Sequence, residues 1–246
     1  MAIITGHKRV CKLIRQSSDT RDYKSTIPIK ATPTKFSLAI PPALDQQALG
    51  SCAINATSNN LRMLGLTYNP SRLMLYYNTR VGVELGNPND DSGVNLRDVF
   101  KAINTYYVAP ENLWQYFTNN FSVLPPCSAY AGGKPFPVKY YAVNQSLDSI
   151  KSTLLTHPIL AGIEVFDSFM TPTVASTGSV PLPNPISERF LGGHCILIFG
   201  FDDATQTFKF QNSWGSTWGN NGCGTIGYYY VVGVLNLCFD LWVITK

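Results

Sequence analysis

Cys52 stands where a small-residue turn meets the start of a helical run, and this junction constrains the chain more than any other stretch. The turn reads Gln46-Gln47-Ala48-Leu49-Gly50-Ser51. From Cys52 to Leu64 there is neither glycine nor proline, and Ala53, Ile54, Ala56, Leu61, Met63 and Leu64 predict a helix with one buried side. A thiol in the first turn of such a helix meets unpaired N–H groups and the positive end of the dipole, which favour its anion. With an imidazolium beside it, that placement brings a cysteine pKa from about 8.5 to roughly 3.5–7.5. Cysteine is also a common small buried hydrophobe. On this octapeptide alone, nucleophile and core residue are equally open readings.

Two later stretches bear on the choice. Gly192-Gly193-His194-Cys195-Ile196-Leu197-Ile198-Phe199-Gly200 sets a histidine at the mouth of an apolar strand, and Phe210-Gln211-Asn212-Ser213-Trp214-Gly215 sets an asparagine at the end of another. Together with Gln46 and Gly50-Ser51-Cys52, these stretches resemble the signatures of the papain-like cysteine peptidases. His194 follows Cys52 by 142 residues, within the family's interval, and Asn212 follows 18 later. The stretch Gly50-Ser51-Cys52-Ala53-Ile54-Asn55-Ala56 resembles the GSCxxNA centre of the compact bacterial, archaeal and viral branch, a likeness covering about Thr20 to Lys246.

The resemblance implies roles residue by residue. Cys52 is the nucleophile, His194 its general base and acid, and Asn212 the residue that orients the imidazole. Gln46 supplies an oxyanion-hole donor, with Gln47 as a possible misalignment. Trp214 shields the His194–Asn212 bond from water, which strengthens it in a low-dielectric pocket. Its alternative is plain core packing, and both can hold. Gly93 is the candidate for hydrogen bonding the substrate backbone, and Gly193 leaves room beside the base. The implied activity is that of an endopeptidase working through a thioester, on protein or peptide substrates, without metal or organic cofactor. A transferase or ligase using the same thioester, and a silent peptide-binding homologue, are the competing classes. The implied fold is α+β and two-lobed, with a helical lobe and a β-barrel-like lobe flanking the cleft.

At 246 residues, with 45% hydrophobic and 14% charged residues, the chain can bury a substantial core. Charge is uneven. Residues 1–35 carry Lys8, Arg9, Lys12, Arg15, Arg21, Lys24, Lys30 and Lys35 against Asp19 and Asp22, a formal +6, while the remainder sums to −2. This basic arm lacks the aromatic interleaving of a nucleic-acid site, so a solvated or self-docked arm is expected, with no nucleic-acid or membrane partner. The contrast motivates the expectation that residues 1 to about 30 fold back over the cleft as a short inhibitory propeptide, in the manner of a zymogen. Residues 36–135 read as a mainly helical lobe carrying the nucleophile, and 136–246 as a mainly β lobe carrying His194 and Asn212. A monomer is expected.

Met1-Ala2-Ile3-Ile4 is too short an apolar run for a secretory signal, so the chain reads as unexported. Of six cysteines, reserving Cys52 leaves five with no CxxC pair, which argues against a disulfide framework or zinc site. Secreted members of the family carry a half-cystine three residues before the nucleophile; Leu49 stands there, which implies a reducing compartment.

In the helical part, Asn69-Pro70-Ser71 is expected to open a second helix with Asn69 as cap. Asn95 is expected to open a third, with Leu96, Val99, Phe100, Ile103 and Tyr107 on its buried side. The loop Gly86 to Gly93 reads as surface, with Asp90 and Asp91 in a solvated turn rather than a calcium site. After Pro125-Pro126, a helix over 146–155 and strands over 159–165, 195–201, 207–211 and 239–244 are expected, and Tyr228 to Ile244 reads as two strands with a turn. Gly178 to Phe190 reads as a loop at the cleft rim, and His157 as a surface histidine.

Overall fold

A computed structural model describes residues 3, 4 and 6–246; Met1, Ala2 and Thr5 of the basic arm lie outside the described residues. The arm opens with a two-stranded antiparallel ribbon, β1 (Ile3–Ile4) and β2 (His7–Lys8). It then runs extended to β3 (Lys35–Ser37), which pairs with the long central strand of the sheet described below. The chain crosses to the helical side only afterwards.

The first helix, α1, spans Cys52–Met63. It is buried on every side from Cys52 to Leu61 rather than along one stripe, because it lies between the other helices and the sheet. Two of its polar residues are hydrogen bonded inward, Asn55 to Ser51 and Arg72, and Asn59 to Gln211 and the Pro42 carbonyl, whereas the side chains of Thr57, Ser58 and Asn60 are buried without a hydrogen-bond partner. Buried amides without such partners would cost about 1–3 kcal/mol each.

Helix α2 (Arg72–Tyr77) is capped by Ser71, whose hydroxyl accepts from the Met74 N–H at 3.3 Å. The expected cap at Asn69 thus moves two residues on, since Pro70 is held in a bridge with Pro110. Helix α3 (Leu96–Tyr106) is capped by Asn95, which accepts from the Asp98 N–H at 3.0 Å. Leu96, Val99, Phe100 and Ile103 are buried as their spacing predicts, but Tyr107 turns out to solvent at φ +63°, where the helix ends. Pro126 opens one more helix, α4 (Cys127–Gly132), before the strands begin.

The sheet comprises β4 (Lys139–Ala142), β5 (Ile159–Phe166), β6 (Ser179–Val180), β7 (Phe190–Asp202), β8 (Thr207–Gln211), β9 (Cys223–Gly227) and β10 (Cys238–Thr245). Their order is β4-β10-β5-β7-β8-β9-β6, with β3 also on β7, and all pairs but β6–β9 are antiparallel. Helices α5 (Leu147–Leu154), α6 (Pro172–Thr177) and α7 (Tyr228–Val232) complete this lobe. The tract from Tyr228 therefore begins as a helix and not as the first of two strands: Tyr228, Tyr230 and Val231 bury against the sheet while Tyr229 faces out.

Period-two alternation explains how one sheet serves two cores. On β5 and β7, Ile159, Ala161, Ile163, Ile196 and Ile198 face one core, while Leu160, Cys195 and Leu197 face the core that includes α1 and α3. Both faces are buried, so these strands read as continuous apolar runs. Among the described residues, no helix is long and apolar enough to cross a membrane.

The cap of α3 yields a pH test. Glu84 accepts from the Asn95 N–H and side-chain amide, and burial pushes its carboxyl up to about 7, with Asp98 adding in the same sense. Between the ordinary value of 4.5 and about 7, the folded chain holds a proton that the unfolded chain has released, so stability falls as pH rises through that window. Glu84→Gln lacks this loss. Thermal melts should show the variant gaining on the wild type from pH 4.5 to 7 and no further change above it; a constant difference would contradict the assignment.

Candidate active site

The turn before α1 is fixed at nearly every polar atom of Gln46. Its N–H donates to the Ser213 carbonyl at 2.8 Å, and its side-chain oxygen accepts from the Ser213 hydroxyl (2.7 Å) and the Trp214 indole N–H (3.2 Å). The amide NH2 is thereby turned the other way, toward the carbonyls of Leu49 (2.8 Å) and Val10 (3.1 Å). Gln47 sits at φ +56° with its side chain toward Thr118, so of the two glutamines it is Gln46 that faces β8's end.

Behind this turn lies a polar network that sequence reading passed over. The Ser51 hydroxyl meets Tyr116 Oη at 2.6 Å, and Tyr116 donates to the Gln46 carbonyl at 3.0 Å. Asn55 donates to Ser51, and Arg72 donates to Asn55 (2.8 Å) and the Asp45 carbonyl (3.0 Å). The Arg72 guanidinium lies 3.8 Å from the Tyr116 ring centroid and forms two 2.7 Å bonds to Glu111. A bidentate, stacked arginine of this kind is rigid. Nothing in the periodicity of α2 marks Arg72 as buried, because apolar spacing reports faces and not partners.

Strand β7 carries His194, fully buried, and the end of β8 delivers Asn212. His194 Nε2 lies 2.8 Å from Asn212 Oδ1. An oxygen acceptor there assigns the proton to Nε2, which leaves Nδ1 as the free lone pair, buried without a hydrogen-bond partner. The Trp214 ring covers the pair, its centroid 5.1 Å from the imidazole, and Phe169 closes the other side at 6.2 Å. Cys52 is also fully buried, at the start of α1, in the same apolar cluster as Cys195, the residue after His194. The structure therefore brings Gln46, Cys52, His194, Asn212 and Trp214 to one place between the lobes.

The chain is also similar to known proteins. The family described as papain family cysteine protease matches residues 34–231. The chain belongs to the papain family of cysteine proteases. It is 38% identical over 220 residues to a peptidase C1-like protein of Acanthamoeba polyphaga mimivirus, spanning 82% of this chain and 69% of that protein. Among solved structures, it is similar to xylellain, a cysteine protease from Xylella fastidiosa, at 29% identity and TM-score 0.86 over 97% of this chain and 98% of the other. A procathepsin B of Trypanosoma congolense, at 16% identity and TM-score 0.71 over 96% and 86% of the two chains, shares the fold. The chain is thus a papain-family cysteine protease, a hydrolase of the α+β two-lobe class. All six of its cysteines are free.

The cleft of this protease is filled by its own basic arm. Arg9, fully buried, pairs with Asp45 and donates to the Trp214 carbonyl at 3.1 Å. Val10 offers its carbonyl to Gln46. Leu13 donates its N–H to the Gly193 carbonyl at 2.8 Å and pairs in parallel with Val94, whose carbonyl takes the Ile14 N–H at 3.1 Å. The Leu13 side chain joins the apolar cluster of Leu49, Cys52, Val94 and Phe239. Further along, Arg15 reaches Glu164, and the Gln16 N–H reaches Asp240.

This cover alters the electrostatics expected for the thiol. Burial pushes Cys52 up to about 11, against the opposing pull of the Cys195, Ala53, Lys12 and Cys52 backbone N–H groups, and burial pushes His194 down to about 4. The anionic thiol and imidazolium expected from the helix terminus are therefore absent with the arm seated: desolvation outweighs the dipole.

Gly93 and Gly193 both abut the arm backbone. A Cβ on Gly93, at φ +79°, would stand 1.7 Å from the Lys12 carbonyl oxygen, and one on Gly193 would stand 2.4 Å from that of Leu13. Asp91, expected in a solvated turn, instead accepts from the Gly50 N–H (3.0 Å) and the Tyr76 hydroxyl (2.5 Å), which anchors the loop to the turn before Cys52. Gly93→Ala is therefore expected to displace the arm as well as strain the loop. Amide hydrogen exchange at Leu13 and Ile14 should accelerate at least about tenfold, with a lowered melting temperature; unchanged protection at both amides would contradict the packing described.

Proposed function

We propose that this protease is a cysteine-type endopeptidase held latent by residues 9–16 of its own arm, with Cys52 as nucleophile and His194 as its base and acid. The observation that carries the reading is the seat of the Val10 carbonyl on the Gln46 amide: a peptide carbonyl already occupies the donor that would receive a substrate's oxyanion.

With the arm displaced, water returns to the cleft and the helix terminus acts on an exposed sulfur. Proton transfer from Cys52 to Nδ1 of His194 gives the thiolate and imidazolium, whose apparent pKa values belong to the pair. The thiolate attacks a peptide carbonyl, and the Cys52 N–H with the Gln46 amide bears the developing negative charge, at about 3 kcal/mol per donor. The imidazolium gives its proton to the leaving amine, and a thioester remains. His194 then takes a proton from water, which attacks the thioester, frees the carboxylic acid and restores the thiol. Asn212 holds Nε2–H throughout, and Trp214 keeps water from that bond.

Iodoacetamide labelling of the full-length chain at neutral pH tests both halves. Leu13→Asp, which places a charge among Leu49, Val94 and Phe239, is expected to speed carboxamidomethylation of Cys52 at least about tenfold over wild type and to unmask peptide hydrolysis. Cys52→Ala in the same background should lower that hydrolysis by at least about a thousandfold. Equal labelling of wild type and Leu13→Asp would reject the latency, and hydrolysis that survives Cys52→Ala would reject the nucleophile.

A further inference from the structure

Asn55 lies in the first turn of α1, three residues on from Cys52, and is 1% exposed. Its amide joins two sets of bonds end to end. The side-chain oxygen accepts from Arg72 Nη1 at 2.8 Å, and the NH2 donates to the Ser51 carbonyl at 2.9 Å and to the Ser51 hydroxyl at 3.1 Å. A guanidinium offers only donors, so the amide oxygen must face Arg72 and the NH2 must face Ser51.

The Ser51 carbonyl belongs to the peptide unit whose N–H is that of Cys52. The backbone N–H of Asn55 reaches the same carbonyl at 3.1 Å, so two donors hold the oxygen end of a unit whose nitrogen end supplies the oxyanion donor assigned above. Hydrogen bonds joined through amide groups polarise one another, by about 10–30% per bond, and Ser51 and Asn55 are both buried, where that polarisation is least screened. The relay begins on a cation that cannot swing away. Glu111 holds Arg72 through two 2.7 Å bonds, the Tyr116 ring lies 3.8 Å beneath its guanidinium, and the Asp45 carbonyl accepts from it at 3.0 Å. Ser51, at the cap position of α1, makes no side-chain bond to the helix; its hydroxyl meets Tyr116 Oη at 2.6 Å instead, which leaves the N–H groups of the first turn to the cleft.

We propose that Asn55, with Arg72 behind it, is a positioning residue for the oxyanion hole: it holds and polarises the Ser51–Cys52 peptide, so that the Cys52 N–H meets a developing oxyanion in place and as a stronger donor. The inference rests on the peptidase reading above. Its effect falls on attack at a carbonyl and not on alkylation of the sulfur, which builds no oxyanion.

The test uses the full-length chain carrying Leu13→Asp and three probes. The first is a fluorogenic peptide amide. The second is a peptide aldehyde of the same sequence, whose carbonyl carbon bonds to the Cys52 sulfur while the thiol proton passes to the carbonyl oxygen. The third is iodoacetamide, whose methylene carbon bonds to the sulfur with loss of iodide. Asn55→Ala is expected to lower kcat about tenfold with KM within about twofold, and to weaken the aldehyde by a similar factor, while alkylation of Cys52 stays within about twofold. Asn55→Asp keeps the shape and the bond from Arg72 but withdraws the NH2 donor, so kcat should fall at least as far. A kcat retained in Asn55→Asp overturns the role, because contact with Arg72 alone would then suffice. Alkylation that falls in parallel with kcat marks a loosened helix start and overturns it too. Hydrolysis by the parent with both variants unaffected overturns this inference and leaves the peptidase reading standing. No hydrolysis by the parent, with Cys52 inert to iodoacetamide, overturns both.

Discussion

A helix enclosed on all sides between two cores is the constraint on which the rest depends. Because α1 has no solvent face from Cys52 to Leu61, its first residue can reach a substrate only through the seam between the helices and the sheet. Every other element of the site is arranged to meet that one point. The long strand β7 delivers His194, the end of β8 delivers Asn212 and Trp214, and the turn before α1 is pinned to that same end by Gln46. The lobes are therefore not independent supports. Gln46 bonds to Ser213 and Trp214, and Asn59 to Gln211, and these links fix the cleft in width as well as in composition.

Burial at the seam acts on charge in two directions. A polar pair under an aromatic cover, His194 with Asn212 beneath Trp214, gains from the low dielectric because both partners are present. A lone thiol gains nothing, since desolvation disfavours its anion. The same enclosure thus holds the imidazole in one orientation and keeps the sulfur protonated. In the latent form proposed here, water access at the seam decides which of these effects governs reactivity, and the arm decides water access.

Much of this was legible in the sequence because the side chains concerned stand at joints. Cys52 follows a glycine-serine turn, His194 a pair of glycines, and Asn212 closes an apolar strand, so each is set off from its surroundings by a change of pattern. Helix α3 and strand β8 were similarly plain from their apolar periods, and β5 and β10 from being apolar runs of strand length. What stayed hidden depends on pairing across long separations. Arg72 and Glu111 look like solvated charges until Tyr116 and Asn55 are brought between them. Asp91 looks like a loop residue until Gly50 and Tyr76 are seen to bind it. Tyr228 to Val232 has the residue types of a strand, and only packing against the sheet makes it a helix. The basic arm announced its charge, but charge alone does not give a register, and its placement depends as much on backbone bonds from Leu13 and Ile14, which any residue could make, as on the side chains of Arg9, Lys12, Leu13 and Arg15.

The arm's parallel alignment with Val94 has a kinetic consequence. In the proposed latent form, a segment joined to β3 through the 18 residues between Gln16 and Lys35 competes for the cleft at an effective concentration on the order of millimolar, whatever the enzyme's own dilution. Free peptides at micromolar levels meet that tethered rival on unequal terms. A single cut in the extended stretch between Gln16 and Lys35 would change the order of the reaction: the rival would become a diffusible molecule, diluted with the enzyme, and occupancy of the cleft would pass from a property of one chain to a property of the solution around it.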